Sequence, residues 1–298
     1  MNLKTLLFLS FFAVSSSYAQ DCDINVSHQK LESQKDFLIF SLLRLSLSKV
    51  VKQVCYHELV EPLTDSRKTQ DVSSGLLSLK WASAGPVVEE QLQAIRIPIF
   101  KGLLGYRLLV VRAGDSIRFA TVNNVEGLRQ FRAGVGERWG DRPVLEASEL
   151  PLILSTRGRY LWNMLIRGRF DYLPLGLHEP WQDIPRFGKQ LEVEPSLILV
   201  YPMALYFYVS KDNEELHALL NQGMELAIKD GSYDQLLYRS AIMREAAAKA
   251  RVGKRRLIRL HNPYLPVDTP LGRSEFWLDP ASFESAVTEA NAVIAPPS

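Results

Sequence analysis

Strand-like and helix-like runs alternate in the first part of this chain, and this alternation constrains the fold most. Runs rich in Val, Leu and aromatic residues at 23–29 (DINVSHQ), 53–60 (QVCYHELV) and 76–83 (LLSLKWAS) predict three strands. Ser33 precedes a helical pattern between the first two and is a favourable N-cap residue. A β-α-β-α-β order implies a mostly parallel sheet covered by helices, so we predict an α/β fold. The apolar positions of the first helix are Phe37, Leu38, Leu42 and Leu45.

A second unit of the same kind follows. The apolar run at 95–111 predicts a turn at Pro98 and then a long strand, and the polar stretch at 112–131 has the composition of a linker. From 131 to 176 the strand and helix order repeats on a smaller scale. A chain of 298 residues with 47% hydrophobic residues has room for two cores. The predicted division is a first lobe of residues 20–112 and 204–298 and a second lobe of residues 113–203.

The segment from 213 to 239 predicts two helices in direct succession. An apolar stripe in the first helix faces a core, and Gly223 beside it leaves room for a close neighbour. Gly231 suits the left-handed conformation that ends a helix, and Ser232 with Gln235 three residues later matches the capping box of a following helix. The stripe consists of Leu216, Leu219, Leu220, Met224 and Ala227.

The N-terminus has the pattern of a secretory signal. Lys4 precedes the apolar run LLFLSFFAV at 6–14, and the small residues Ser17 and Ala19 stand at the −3 and −1 positions of a cut before Gln20. A membrane anchor is the alternative, but the run is shorter than the roughly 18 apolar residues of a span. We predict a cleaved signal peptide at residues 1–19 and a periplasmic location.

Export changes how the two cysteines are interpreted. Cys22 and Cys55 form an even number of cysteines in an oxidising compartment, which favours a structural disulfide between them. Two unpaired buried thiols are the alternative, because spacing alone does not fix the geometry.

Charge and motif content exclude several function classes. The net charge of +2 provides no field for nucleic acid. The five histidines have no metal-ligand spacing, no Gly-x-Ser-x-Gly elbow is present, and GVGERWG at 134–140 departs from the dinucleotide-binding pattern. We predict no enzyme activity, no catalytic residues, no cofactor and no metal site.

Three stretches resemble a known family. They are LRQFRAGVGERWGD at 128–141, LWNMLIRGRFDYLPLG at 161–176 and LYFYVSKDNEELHALLNQGMELAIKDGSYDQLL at 205–237. They are similar to extracellular solute-binding protein family 3, the bacterial amino-acid binding proteins of ABC transporters. The resemblance implies a type II periplasmic binding fold, in which two α/β lobes are joined by two crossing strands. It also implies a monomer that binds a small polar solute in the cleft and partners an inner-membrane ABC permease or a membrane sensor.

Family logic places a ligand at the carboxyl ends of the strands, which are KWASAG at 80–85, RWGDRP at 138–143 and PLGLHEP at 174–180. There the resemblance predicts stacking, hydrogen-bonding and charged contacts. Core packing is the alternative for the two tryptophans, a helix cap for the aspartate and pairing with a nearby acid for the arginine. The predicted ligand-binding residues are Trp81, Ser83, Arg107, Trp139, Gly140, Asp141 and Glu179.

The sequence departs from the family where amino acids are usually held. The family's clamping arginine falls on Glu89, which cannot bind a carboxylate, and the acid that grips the amino group falls near Gly176, with Glu179 as the closest candidate. We therefore expect that free amino acids are not bound in the usual way, and that a small polar ligand, amino-acid-like or other, is taken up or sensed through hinge closure. A ligand-free signalling module that partners a membrane sensor is the alternative. The Pro-rich and aromatic tail at 261–280 predicts a strap over a lobe.

Overall fold

The computed structural model describes residues 22–292, so the predicted signal peptide lies outside the described residues. The strands are β1 (Ile24–His28), β2 (Val54–Glu58), β3 (Leu79–Ser83), β4 (Leu92–Ala94), β5 (Tyr106–Arg112), β6 (Ala133–Gly136), β7 (Leu152–Ser155), β8 (Leu173–Gly176), β9 (Leu191–Val193), β10 (Leu197–Val200), β11 (Leu205–Ser210) and β12 (Arg256–Arg259).

The helices are α1 (Gln34–Ser48), α2 (Asp65–Ser73), α3 (Pro86–Gln91), α4 (Val125–Leu128), α5 (Arg142–Ala147), α6 (Gly158–Ile166), α7 (Pro180–Asp183), α8 (Glu214–Lys229), α9 (Ser232–Tyr238), α10 (Ala241–Ala250) and α11 (Phe283–Ala292). Among the residues described, no helix combines the length and the apolarity needed to cross a membrane.

The opening strands and helix confirm the predicted order. Strands β1 and β2 pair in parallel, and β3 lies between β1 and the antiparallel pair formed by β11 and β4. Ser33 accepts a hydrogen bond from the backbone N–H of Asp36 and begins α1. Leu38 and Leu42 are buried, whereas Phe37 is 57% exposed. Phe37 neighbours the buried stripe in sequence but projects away from it, since successive helical residues point about 100° apart.

The second sheet is built around β5, and the predicted division into lobes stays a prediction. Strand β5 pairs in antiparallel fashion with β8, β9 and β10, and β12 runs parallel to β10. Both β5 and β12 were assigned to the first lobe by the sequence boundaries. Strand β5 is buried from Tyr106 to Val111 because it is a central strand. Strands β6 and β7 pair in parallel, and a bridge from Ala133 to Tyr172 brings β6 against the start of β8.

Two chain segments cross between the sheets beside Gly105 and Tyr201. The backbone N–H of Tyr201 donates to the Gly105 carbonyl at 3.1 Å. A Cβ on Gly105 would stand 1.9 Å from the Tyr201 carbonyl oxygen. Only glycine permits this approach, so the crossing depends on that residue.

Gly105→Ala is therefore expected to destabilise the protein by about 1–3 kcal/mol, because both clashing groups are backbone and neither can rotate away. Urea denaturation followed by far-UV circular dichroism measures the loss as a lower midpoint. The matched control is Gly85→Ala, since Gly85 has an extended φ of 173° and a Cβ added there would meet no atom within 4 Å. Equal midpoints for the two variants would contradict the predicted role of Gly105.

The two closing helices meet as predicted but are capped differently. Gly231 separates α8 from α9 with a φ of +78°. The predicted capping box is wrong, because Gly231 occupies the N-cap position and the Ser232 hydroxyl donates backwards to the Ala227 carbonyl. The predicted close approach at Gly223 is confirmed, since a Cβ there would stand 2.1 Å from the Ser46 carbonyl oxygen of α1.

The two cysteines and the tail both connect distant segments. Cys22 and Cys55 form a disulfide with a Cα–Cα distance of 5.7 Å, as predicted. The predicted strap runs over the two crossing segments: Asn262 donates to the Pro202 carbonyl at 2.9 Å, and the Leu278 N–H donates to the Lys101 carbonyl at 2.7 Å. The tail therefore lies across the region where the sheets join.

Candidate functional site between the two sheets

A cavity of about 730 Å³ lies where elements of the two sheets face each other. Lys35 of α1 and Ser83 at the end of β3 line one side, and Arg107 and Met203 line the floor near the crossing segments. The other side comes from β8 and from the loops and helices that follow β6, β7 and β8. Those residues are Arg138, Trp139, Gly140, Asp141, Gly158, Arg159, Trp162, Leu175, Glu179, Asp183, Arg186 and Phe187.

Six of the seven predicted ligand-binding residues line this cavity. They are Ser83, Arg107, Trp139, Gly140, Asp141 and Glu179. Trp81 is elsewhere: it is 6% exposed, its indole N–H donates to Asp36 at 3.0 Å, and its ring meets Phe207 edge-on. The alternative of core packing therefore fits Trp81 better than ligand stacking does.

Arg107 is the centre of a buried charged cluster. It belongs to β5, and its side chain is 9% exposed. The Nε–H group donates to the Tyr201 hydroxyl at 3.0 Å. One carboxylate oxygen each of Asp141 and Glu179 lies 3.6 Å from the guanidinium. The cluster therefore sets one positive charge against two negative charges at the floor of the cavity.

Asp141 occupies the N-cap position of α5, as the cap alternative predicted, but its side chain makes no capping hydrogen bond. That side chain is 2% exposed, and its Oδ2 atom has no hydrogen-bond partner among the described residues. The charge of Arg107 is thus the main compensation for a buried carboxylate. Asp141 is an ion-pair partner here, and its predicted contact with a ligand stays a prediction.

The side chain of Glu179 is more exposed than that of Asp141, and one of its carboxylate oxygens is held by a hydrogen bond. Its side chain is 41% exposed and lines the cavity. The Oε2 atom accepts the backbone N–H of Gly176 at 2.5 Å. Burial acts to raise the pKa of Glu179, but the charge of Arg107, together with the hydrogen bond from the Gly176 N–H, outweighs it and holds this pKa below its usual value.

Burial and nearby charges also shift the pKa values of Arg107 and His178. Burial acts to lower the pKa of Arg107, yet Asp141, Tyr201 and Glu179 raise it above its usual value, so the guanidinium stays charged. Burial lowers the pKa of His178 despite the nearby Glu179, so this ring is held neutral near pH 7. The fixed charges at neutral pH are therefore those of the Arg107 cluster and the cavity rim.

The rim of the cavity is rich in cations. Five cationic side chains line the cavity against three carboxylates. Arg186 pairs with Asp183 at 2.8 Å, but in the described part of the chain no carboxylate lies within ion-pairing distance of Lys35, Arg138 or Arg159. The rings of Trp162 and Phe187 stack at the same rim with centroids 5.3 Å apart. An anion with an apolar body would find both charge and ring surface here.

Sequence reasoning missed the cationic residues of the helices. Lys35 lies near the start of α1 and Arg159 near the start of α6, whereas the prediction considered only strand ends. Each stands at the beginning of a helix that follows a strand. This position carries a signal in an α/β fold, because helix starts and strand ends meet at the same edge.

Two other residues that the sequence singled out lie outside the cavity lining. Glu89 accepts two hydrogen bonds from Arg96, at 2.8 and 2.6 Å, and one from the Tyr208 hydroxyl at 3.2 Å. Asp171 accepts the backbone N–H of Arg132 at 2.8 Å and a bond from Arg118, so it holds the turn before β8. Within residues 22–292, no group of three or more His, Cys, Asp or Glu side chains is arranged to hold a metal ion.

No protein-family profile matches the sequence, and no curated protein matches it. Solved structures do. An ancestral arginine-binding protein bound to arginine is 14% identical with a TM-score of 0.50, over 73% of this chain and 97% of that one. An amino acid ABC transporter substrate-binding protein from Streptococcus pneumoniae, bound to L-arginine, is 14% identical with a TM-score of 0.51, over 73% and 93%.

A periplasmic domain shows a similar likeness. The periplasmic VFT2 domain of Bordetella pertussis BvgS is 14% identical with a TM-score of 0.52, over 73% of this chain and 92% of that domain. At this level of identity the likeness concerns the fold. The protein has the two-lobe α/β fold of periplasmic binding proteins, with the candidate site in the cleft between the lobes.

Proposed function

We propose that this protein is a periplasmic solute-binding protein that captures a small polar solute between its lobes. The observation that carries the proposal is the cavity of about 730 Å³, which both lobes line with charged side chains. Its volume falls within the roughly 300–1,000 Å³ that small-molecule sites occupy. A solute that contacts both walls stabilises their approach, which a partner in the membrane then reads.

Binding, rather than catalysis, is the role that the charges support. The buried titratable groups of the cavity compensate one another, since Arg107 stands between Asp141 and Glu179. The partner is an inner-membrane ABC permease or a membrane sensor, and a structural neighbour named as an ABC transporter substrate-binding protein supports the first of these. The disulfide and the predicted signal peptide support a periplasmic location.

A ligand-free signalling module is the second candidate, and one observation favours it. Arg107 already fills the position between the two carboxylates that a cationic solute would occupy. Because Arg107 already compensates the charges of the two carboxylates, the cleft can stay closed without a solute. The closed protein then signals to a membrane sensor.

A thermal-shift screen of the unfolded and refolded protein separates the two candidates, because refolding removes any co-purified solute. The panel contains amino acids, polyamines, organic acids, phosphates and small peptides. At about 100 times its dissociation constant, a solute stabilises the native state by about 2.7 kcal/mol, which raises the melting temperature by roughly 5 °C or more. No shift with a folded sample would contradict the binding proposal and favour the ligand-free module.

A matched pair of glycine variants ties the shift to the cavity. Gly140→Leu adds a side chain that points between Ser83 and Met203, 3.8 and 3.3 Å from its Cβ, and fills the cleft without removing a charge. Gly272→Leu adds the same side chain where no atom lies within 4 Å of the Cβ. We expect the first variant to lose the solute-induced shift and the second to keep it.

A further inference from the structure

We propose that Arg107 is a built-in occupant of the carboxylate pair formed by Asp141 and Glu179, so that the cleft selects small organic anions and rejects amines and guanidines. The anions are carboxylates or phosphates, held by Lys35, Arg138 and Arg159. This inference rests on the proposed function and names its class of solute.

The first step is that Arg107 is fixed in place. Its strand β5 pairs with β8 on one side, where Arg107 stands opposite Gly176, and with β10 on the other, opposite Leu199. The guanidinium also bonds the Tyr201 hydroxyl and lies 3.7 Å from the sulfur of Met203. A residue held from both strands and at its head group cannot withdraw to admit a ligand.

The second step is that this residue uses the only carboxylates at the cavity floor among the described residues. The remaining acid of the cavity, Asp183, pairs with Arg186 at 2.8 Å. A cationic solute would meet Arg107 at the position where its charge needs compensation. The repulsion between Arg107 and a cationic solute opposes binding, and repulsion of this kind makes a site specific.

The third step is that three cations at the rim of the cavity have no carboxylate within ion-pairing distance among the described residues. Lys35 comes from one lobe, and Arg138 and Arg159 come from the other. An anion between them bridges the two lobes, and arginine suits carboxylate and phosphate groups because its planar head donates two parallel hydrogen bonds. The floor cluster contributes one negative charge, and the three rim cations outweigh it.

Tryptophan fluorescence titrations of the refolded protein test the class directly, because Trp139 and Trp162 line the cavity. The probes are succinate, citrate and inorganic phosphate as anions, and L-arginine and putrescine as cations. We expect saturable binding of an organic anion or of phosphate, weaker binding at high salt, and no saturation with the cations. Carboxylates and phosphates are separate arms, so the titration also distinguishes these two sources of anionic charge.

Arg159→Gln and Arg157→Gln form a matched pair for the same titration. Both arginines are exposed and adjoin Tyr160, but only Arg159 lines the cavity. The first variant should weaken anion binding by roughly threefold to tenfold and the second by less than about twofold. Equal losses would show that the cavity rim does not hold the anion, and would overturn the inference.

Arg107→Ala tests the built-in occupant. Methylguanidine, at concentrations far below those that denature, should raise the melting temperature of this variant and leave that of the wild type unchanged. Adding Asp141→Asn to the variant should abolish the effect, since one of the two carboxylates that hold the probe is then neutral. If Arg107→Ala does not fold alone, the refolding yield with and without methylguanidine gives the same answer.

The outcomes separate the inference from the function on which it rests. Binding of amines or guanidines by the wild type as tightly as anions would overturn the inference while the solute-binding proposal stands. Absence of binding by every probe, together with no shift in the broader solute screen, would overturn both. Anion binding without methylguanidine rescue of Arg107→Ala would overturn the occupant role of Arg107.

Discussion

Arg107→Leu is expected to lower the free energy of unfolding by about 3–5 kcal/mol at pH 7, because it leaves buried acid without its counter-charge. The side chain of Asp141 is 2% exposed, and one of its oxygens has no hydrogen-bond partner in residues 22–292. Glu179 is 41% exposed to the cavity, so water screens its share of the loss. Urea denaturation at pH 7 measures the change.

The free energy of unfolding lost in Arg107→Leu should become smaller as the pH falls. In the wild type the pKa of Glu179 is held below its usual value of about 4.3, so its ionisation stabilises the native state above that pH. This contribution is lost as the pH falls through the lower pKa of the folded state. Arg107→Leu removes the cause of the depressed pKa. The stability difference between wild type and variant should therefore narrow as the pH falls below about 4.

Two further variants show whether buried charge is the cause. Arg157→Leu removes an exposed arginine and should change stability by less than about 0.5 kcal/mol. Arg107→Leu with Asp141→Leu removes both members of the buried pair and should recover part of the single-variant loss. A double variant less stable than Arg107→Leu alone, by the full cost of a second core substitution, would contradict this explanation.

Loss of the disulfide is the second large effect, and we expect it to cost about 2–4 kcal/mol. Cys22 and Cys55 are 33 residues apart in sequence, so the bond closes a long loop and restricts the unfolded chain. It also joins the start of β1 to β2, a strand whose end is exposed at His57 and Glu58. Without the disulfide, β1 and β2 therefore separate from each other more readily.

Denaturation of the protein with and without reductant measures this effect. The Cys22→Ser and Cys55→Ser double variant is the control, since its midpoint should not respond to reductant and should match that of the reduced wild type. Solute affinity should be unchanged under conditions where the variant is folded, because neither cysteine lines the cavity. An unchanged midpoint on reduction would contradict the stabilising role of the bond.

Local patterns predicted the fold well because they depend on neighbouring residues. Ser33 at the start of α1 and Gly231 between α8 and α9 are both where their conformational preferences place them. Pairings between distant segments were not predictable in this way. The apolar run of β5 indicates a buried strand, but only the pairing with β8 and β10 shows which sheet it joins.

The site shows the same division between local and distant information. Asp141 stands where an N-cap residue belongs, yet the buried cation of Arg107 takes its carboxylate, and nothing near Asp141 in sequence indicates this. Glu89, which the sequence resemblance aligned with a clamping arginine, binds Arg96 outside the cavity. The buried arginine of this cleft comes from strand β5. The fold resembles that of amino-acid binding proteins, and the buried charge at the floor of this cleft is that of Arg107.

Isothermal titration calorimetry tests most directly the claim that the cleft captures a small anionic solute. The refolded wild type is titrated with the best-stabilising organic anion, and the titration is repeated with Gly140→Leu and Gly272→Leu. We expect one saturable site per chain in the wild type and in Gly272→Leu, and no binding to Gly140→Leu. Undiminished binding to Gly140→Leu would place the solute outside the cleft. A wild type that releases no heat with any anion, although it is folded, would contradict the claim that this cleft captures a small anionic solute.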